Sequence, residues 1–274
     1  MLLDYHVHTD YSDDSVYLLE DVIKDAIAMG MKEIAITDHV DYGIKKDWCE
    51  GNIEYRNGEP IANVDYPRYF DELEKVISKY DQIKIRKGME FGVQTHTIDK
   101  FQKLFNSHDF DFIILSIHQV EDKEFWTGDF QRGRTQKEYN ERYYQELLDV
   151  VKAYKDYSVL GHLDLIVRYD EEGVYPFEKV KPMIEEVLKQ VIKDGKGIEV
   201  NTSYHRYGLK DMTPSRDILK LYKELGGRIV TIGSDSHKKE HLGAYIDEAK
   251  DELRKLGFEH YCTFEKMQPI YHKL

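Results

Sequence analysis

Short apolar and β-branched runs recur along the chain at 2–7, 33–37, 84–89, 112–117, 158–160, 198–201 and 228–232. Continuous apolar runs of this kind read as strands buried on both faces. Between them lie longer segments with apolar positions at helical spacing. The clearest spans 135–154, where Thr135 and Glu138 form a capping box and Leu147, Leu148 and Val151 continue an apolar stripe. Another is expected to start at Thr213-Pro214, a cap residue followed by proline at the first helical position, and to stop at Gly226-Gly227. Strand and helix alternate without a flexible linker or a low-complexity tract, which predicts one domain, residues 1–274, built of βα units around a parallel sheet. Seven such units can be counted, so the expected fold is α/β, a distorted (β/α)7 TIM-like barrel.

One irregular segment, 40–66, interrupts the alternation. It carries Trp48, Cys49 and several tyrosines, and Asn57-Gly58 between 53–56 and 59–62 predicts a small hairpin. A long ordered loop after a strand is either a functional lid or a surface excursion, and its sequence does not choose between them.

Composition narrows the function. With 274 residues, 41% apolar and 33% charged, the chain has material for a real core, which excludes disorder. Lys plus Arg number 39 against 52 Asp plus Glu, so the formal charge is 39 − 52 = −13. That sign excludes a broad cationic surface for long nucleic acid. The two cysteines, Cys49 and Cys262, have no CxxC spacing, so neither a disulfide framework nor a thiolate metal site is expected. The start of the chain lacks a basic flank followed by an apolar run, and stretches such as 112–115 are far too short to span a membrane. A cytoplasmic protein without membrane partners is the expectation. Nothing in the pattern speaks to oligomeric state.

The candidate chemistry lies at the strand ends. His6 and His8 close the first strand as His-Val-His, and residues two apart on a strand face the same way. The second strand runs into Thr37-Asp38-His39 and the third into Gly88-Met89-Glu90. The fourth ends in Ser116-Ile117-His118, the fifth in Gly161-His162-Leu163-Asp164, and the seventh in Gly233-Ser234-Asp235-Ser236-His237. In an α/β barrel these ends meet on one face, where the chemistry of such folds is done. Singly, each is equally a core histidine or a capping aspartate. Jointly, imidazoles and carboxylates without thiolate describe a catalytic centre for Zn, Fe or Mn that keeps an open position. Six histidines with three carboxylates exceed the needs of two open sites, so three ions is the economical count.

The strings His-Val-His-Thr, Thr-Asp-His, Gly-Met-Glu, Ser-Ile-His, Gly-His-Leu-Asp and Ser-Asp-Ser-His resemble, in order and over nearly the whole chain, the signature of the PHP family. This is the polymerase and histidinol phosphatase superfamily of metal-dependent phosphoesterases. The resemblance implies a trinuclear site on three divalent ions, with His6, His8, Glu90 and Asp235 on one, Glu90 bridging to a second held by His118 and His162, and Asp14, His39 and His237 on the third. Asp13 stands beside Asp14 as a rival carboxylate. Asp38 and Asp164 are expected to orient ligand imidazoles.

Within the family, the stretches 161–169 and 201–206 look most like the histidinol-phosphatase branch. That branch implies hydrolysis of a small phosphate monoester, L-histidinol phosphate, by in-line attack of a hydroxide shared between two ions. Glu90 and Asp235 would then be catalytic, and Arg168 and Arg206, just past strands that end at the metal face, would bind phosphate oxygens. His205 is the candidate general acid. Segments 40–66 and 119–134 are the candidate walls around the alcohol. The rival readings are a PHP phosphodiesterase acting on small nucleotides and a metal-binding module without catalysis.

Overall fold

The structure, a computed structural model, describes residues 1–56 and 58–274. Seven parallel strands follow one another around the sheet in sequence order: β1 (Leu3–Val7), β2 (Glu33–Ile36), β3 (Lys84–Gly92), β4 (Phe112–Ser116), β5 (Val159–Leu160), β6 (Gly197–Asn201) and β7 (Val230–Gly233). A two-residue strand, His39–Val40, continues beyond β2 and pairs with β3, setting His39 opposite Glu90. The sheet closes where Val7 bridges Ser236: the His8 N–H donates to the Ser236 carbonyl at 2.8 Å, and the Ser236 N–H to that of His6 at 3.2 Å. The expected distorted (β/α)7 barrel is therefore what forms.

A helix follows each strand: α1 (Leu19–Ala28), α2 (Tyr66–Lys79), α3 (Ile98–Ser107), α4 (Gln136–Ala153), α5 (Phe177–Lys193), α6 (Arg216–Glu224) and α7 (Ile246–Lys255). In α4 the Thr135–Glu138 capping box is present as the spacing requires. In α6 the cap lies two residues later than expected, because the Ser215 hydroxyl takes the Ile218 N–H. Thr213 is instead held by the strand before it, its carbonyl accepting the Asn201 N–H at 2.8 Å.

The strands are buried on both faces, which is why they lack an alternating pattern. An antiparallel hairpin, β8 (His260–Glu265) and β9 (Gln268–Lys273), packs under the end where the strands begin. There the Phe264 N–H donates to the Tyr5 hydroxyl, which donates to Glu33, and Arg86 completes the pair with Glu33 at 2.7 Å. With that end plugged, the opposite end, where the strands finish, is left for the site. In segment 40–66, Tyr55–Arg56 pairs antiparallel with Glu59–Pro60, as the hairpin expectation requires. Its turn residue Asn57 lies outside the described residues. No helix among the described residues is long and apolar enough to cross a membrane.

Candidate metal centre

The nine candidate side chains, eight from the strand ends and Asp14 from the loop after β1, meet at the carboxyl end of the barrel. His6 and His8, two apart on β1, bring their Nε2 atoms to 3.0 Å. Both face Glu90 Oε2, at 3.1 and 3.4 Å, and Asp235 Oδ1, at 3.8 and 3.5 Å. The other oxygen of Glu90 lies 3.1 Å from His118 Nε2 and 2.9 Å from His162 Nε2. Asp14 spans the third group, with Oδ1 at 3.0 Å from His39 Nε2 and Oδ2 at 3.1 Å from His237 Nε2. Asp13 is drawn off by Lys45 at 2.7 Å and stays 3.4 Å from His39, which favours Asp14 as the carboxylate here.

The donor set fits divalent cations. Sets of three such side chains, among them His6–His8–Asp235 and His6–Glu90–His162, hold their donor atoms within 4.8 Å of one another. These are imidazole nitrogens and carboxylate oxygens, suited to Zn, Fe or Mn, and the cysteines take no part. Most of the imidazoles turn Nε2 inward and anchor Nδ1 outward, the arrangement that fixes a ligating tautomer. His6 Nδ1 donates to Glu199 at 2.6 Å, and His8 Nδ1 to the Ser12 hydroxyl at 3.1 Å. His39 and His118 donate to the two oxygens of Asp41, at 2.8 and 2.7 Å, and His237 to the Asp235 carbonyl at 2.9 Å.

Two of these anchors, Glu199 and Asp41, went unrecognised in the sequence. Glu199 is the one charged residue of β6, fully buried, and its other oxygen accepts the His162 N–H at 3.0 Å. A side chain at Gly233 would place its Cβ 2.7 Å from Glu199 Oε1 and 2.3 Å from the His6 Cβ, so glycine is needed for this approach. Asp38 and Asp164, by contrast, hydrogen-bond to no imidazole directly. Asp38 pins the loop after β1 through Thr9 and Ser12, and Asp164 accepts the Ser215 N–H.

Charge is distributed to suit the cluster. Burial alone would raise Glu90 and Asp235, yet His6 with the other imidazoles holds both well below the ordinary carboxylate range. Burial, with the neighbouring His237 and His6 rings, lowers His8 to about 3. Burial opposes a proton on His118, but Glu90 and Asp41 outweigh it and raise His118 from 6.5 to about 9. Without metal, His118 therefore carries a proton at pH 7.5 that an incoming cation must displace. Zinc binding to metal-free protein should release protons at that pH, and affinity should fall as pH drops below about 9. Calorimetric titration in two buffers of different ionisation enthalpy reads the proton count directly, and a count of zero would contradict this charge state.

A cavity of about 340 Å³ opens over the cluster. Arg168 lines it, its side chain 4% exposed, with Nη2 donating to Ser203, to Asn201 at 3.2 Å and to Asp235 at 3.3 Å. Its Nε has no acceptor among the described residues. Segment 40–66 contributes Lys45, Arg56 and Ile61 to the walls, and Glu124 and Trp126 face them. Arg206 departs from expectation in part: Nη1 and Nη2 donate to the carbonyls of Ser234 and Asp235, yet Nη2 also lies 3.9 Å from Asp235 Oδ2, the oxygen that Arg168 approaches. That grip holds Asp235 at φ 57°, a left-handed conformation an aspartate adopts at some cost. His205 departs too. The short 3-10 turn at Thr202–Tyr204 carries it away from the metal face, its ring stacks on Tyr245 at 3.9 Å, and it is absent from the cavity wall.

Fold and site together define an α/β barrel with a histidine and carboxylate metal centre at its catalytic face. The chain belongs to the PHP domain family, which matches residues 4–203. It is 31% identical over 273 residues to the histidinol-phosphatase of Lactococcus lactis subsp. lactis (strain IL1403), covering 97% of this chain and 95% of that protein. It is 30% identical to a probable histidinol-phosphatase of Thermotoga maritima, covering 96% and 95%. The solved structure of the Lactococcus lactis histidinol phosphate phosphatase, complexed with zinc, L-histidinol and phosphate, superposes with a TM-score of 0.83 at 30% identity over 98% of each chain.

Proposed function

We propose that this chain hydrolyses L-histidinol phosphate to L-histidinol and phosphate at a centre of three divalent ions. The observation that carries the reading is the placement of Arg168, a buried guanidinium beside Asp235 at the edge of a nine-ligand cluster inside a small cavity. It is supported by near-complete coverage against the Lactococcus lactis enzyme. Divalent ions bound by these donors supply a nucleophilic water at neutral pH and neutralise charge on the phosphoryl oxygens.

The remaining work falls to the chain's own groups. Arg168 binds and orients the phosphoryl group with a charge-assisted fork. Glu90 and Asp235 set the spacing of the donor groups, and Glu199, Asp41 and Ser12 hold the rings in register. A cavity of this size suits a small ester. Its wall carries both signs of charge, Asp13 paired with Lys45 and Glu124 with Arg56, each at 2.7 Å.

The two arginines should separate kinetically. Arg168→Ala removes a charged hydrogen bond to the substrate worth roughly 1.5–3 kcal/mol, so KM should rise on the order of 10- to 100-fold with a smaller change in kcat. Arg206→Ala loosens the Asp235 backbone and should lower kcat at nearly constant KM. Steady-state kinetics on both variants reads the split, and an unchanged KM in Arg168→Ala would remove that residue from the phosphate site. The reading as a whole is tested by assaying L-histidinol phosphate beside a generic phosphodiester. Preferential release of phosphate from the monoester is expected; cleavage of the diester alone would favour the phosphodiesterase.

A further inference from the structure

We propose that Asp41 is a shared positioning residue that couples two of the ion sites, so that filling the site of His118 favours filling the site of His39. The inference rests on the three-ion reading and deepens it. The carboxylate of Asp41 is 1% exposed and divides its oxygens between the two sites: Oδ1 takes His118 Nδ1 at 2.7 Å and Oδ2 takes His39 Nδ1 at 2.8 Å. His118 faces Glu90, whereas His39 faces Asp14, so these rings belong to different donor groups. One rigid carboxylate thus sets the angle of a ring in each.

The surroundings are built to keep it there. The Asp41 N–H donates to Asn63 Oδ1 at 2.9 Å, and Lys45 Nζ sits 3.1 Å from Oδ2, buried. Gly92 on β3 leaves the space the carboxylate needs, since a Cβ there would lie 1.9 Å from Asp41 Oδ1 and 3.0 Å from His118 Nδ1. Segment 40–66 therefore supplies three parts of this brace, Asp41, Lys45 and Asn63, in addition to cavity wall. An ion on His118 fixes that ring and with it Asp41; the ordering of His39 is then already met when the next ion arrives.

The test is zinc binding by the metal-stripped full chain, counted as ions per chain by elemental analysis after equilibration at a series of buffered free zinc concentrations. Wild type should reach three. Asp41→Asn, nearly isosteric, offers one acceptor oxygen where two are needed, and should keep one tight ion while the other two weaken about 10- to 100-fold. His118→Asn should weaken the ion at His39 as well as its own. Three wild-type ions with Asp41→Asn losing none or only one would overturn the coupling, as would an unaltered His39 site in His118→Asn. A wild type that never exceeds two ions overturns the three-ion reading itself, and this inference with it. Should Asp41→Asn not fold, Gly92→Ala, which displaces Asp41 and crowds the His118 ring while replacing no donor side chain, carries the same expectation. Loss of folding in both would make Asp41 a folding residue and end the proposal.

Discussion

Replacing Glu90 by alanine is expected to lower kcat for L-histidinol phosphate by about three orders of magnitude while leaving the far-UV circular dichroism of the protein unchanged. Glu90 Oε2 faces His6 and His8, and Oε1 faces His118 and His162, so among the described residues it is the carboxylate that joins the two donor groups. Charge stabilisation at a metal site is worth several kcal/mol, and each 1.36 kcal/mol is about tenfold in rate, which gives a loss on the order of 10³. The fold should tolerate the change, because the Glu90 side chain points at imidazoles and the Ser116 hydroxyl and takes no part in the strand pairing of β3. Full activity in this variant, measured by phosphate release, would contradict the bridging role.

Stripping the protein with a chelator should have the larger effect, an activity loss of more than about 10⁴-fold that zinc restores, since both nucleophile and charge neutralisation depend on the ions. Stability should move with it. A ligand at 100 times its Kd stabilises by about 2.7 kcal/mol, so the stripped chain should melt lower than the refilled one and the difference should grow with free zinc. Calorimetric melts with parallel assays check both. Chelator-insensitive phosphate release would remove metal from the reaction.

Eight of the nine candidate ligands were legible because they stand at or just past the end of a strand, where a polar residue interrupts an apolar run and the barrel topology brings such positions together; Asp14, in the loop after β1, came only from the family resemblance. The anchors behind them were not legible. Glu199 stands within β6 and has no neighbour in sequence that advertises an imidazole, although a lone charge in a mostly apolar, fully buried strand is the signal that could have found it. Asp38 looked like an orienting group because it precedes His39. Its carboxylate instead accepts from Thr9 and Ser12, and Asp41, two beyond His39, takes the ring nitrogen. Arg206 and His205 show the same limit in a turn. The path of Thr202–Tyr204 decides which of the following side chains reach the cavity, and nothing in the residue types 201–206 encodes it. The overlooked cap at Ser215 is a smaller case, in which Thr213 and Ser215 are both good cap residues and the pairing of Thr213 with Asn201 settles the choice.

The most direct measurement is anomalous X-ray diffraction from crystals of the chain grown with zinc. Three peaks are expected at the carboxyl end of the barrel, each about 2.0–2.2 Å from its donors. One should lie among His6, His8, Glu90 and Asp235, one among Glu90, His118 and His162, and one among Asp14, His39 and His237. Zinc bound elsewhere on the surface, with these imidazoles paired only to protein groups, would contradict the assignment of this end of the barrel as a metal centre.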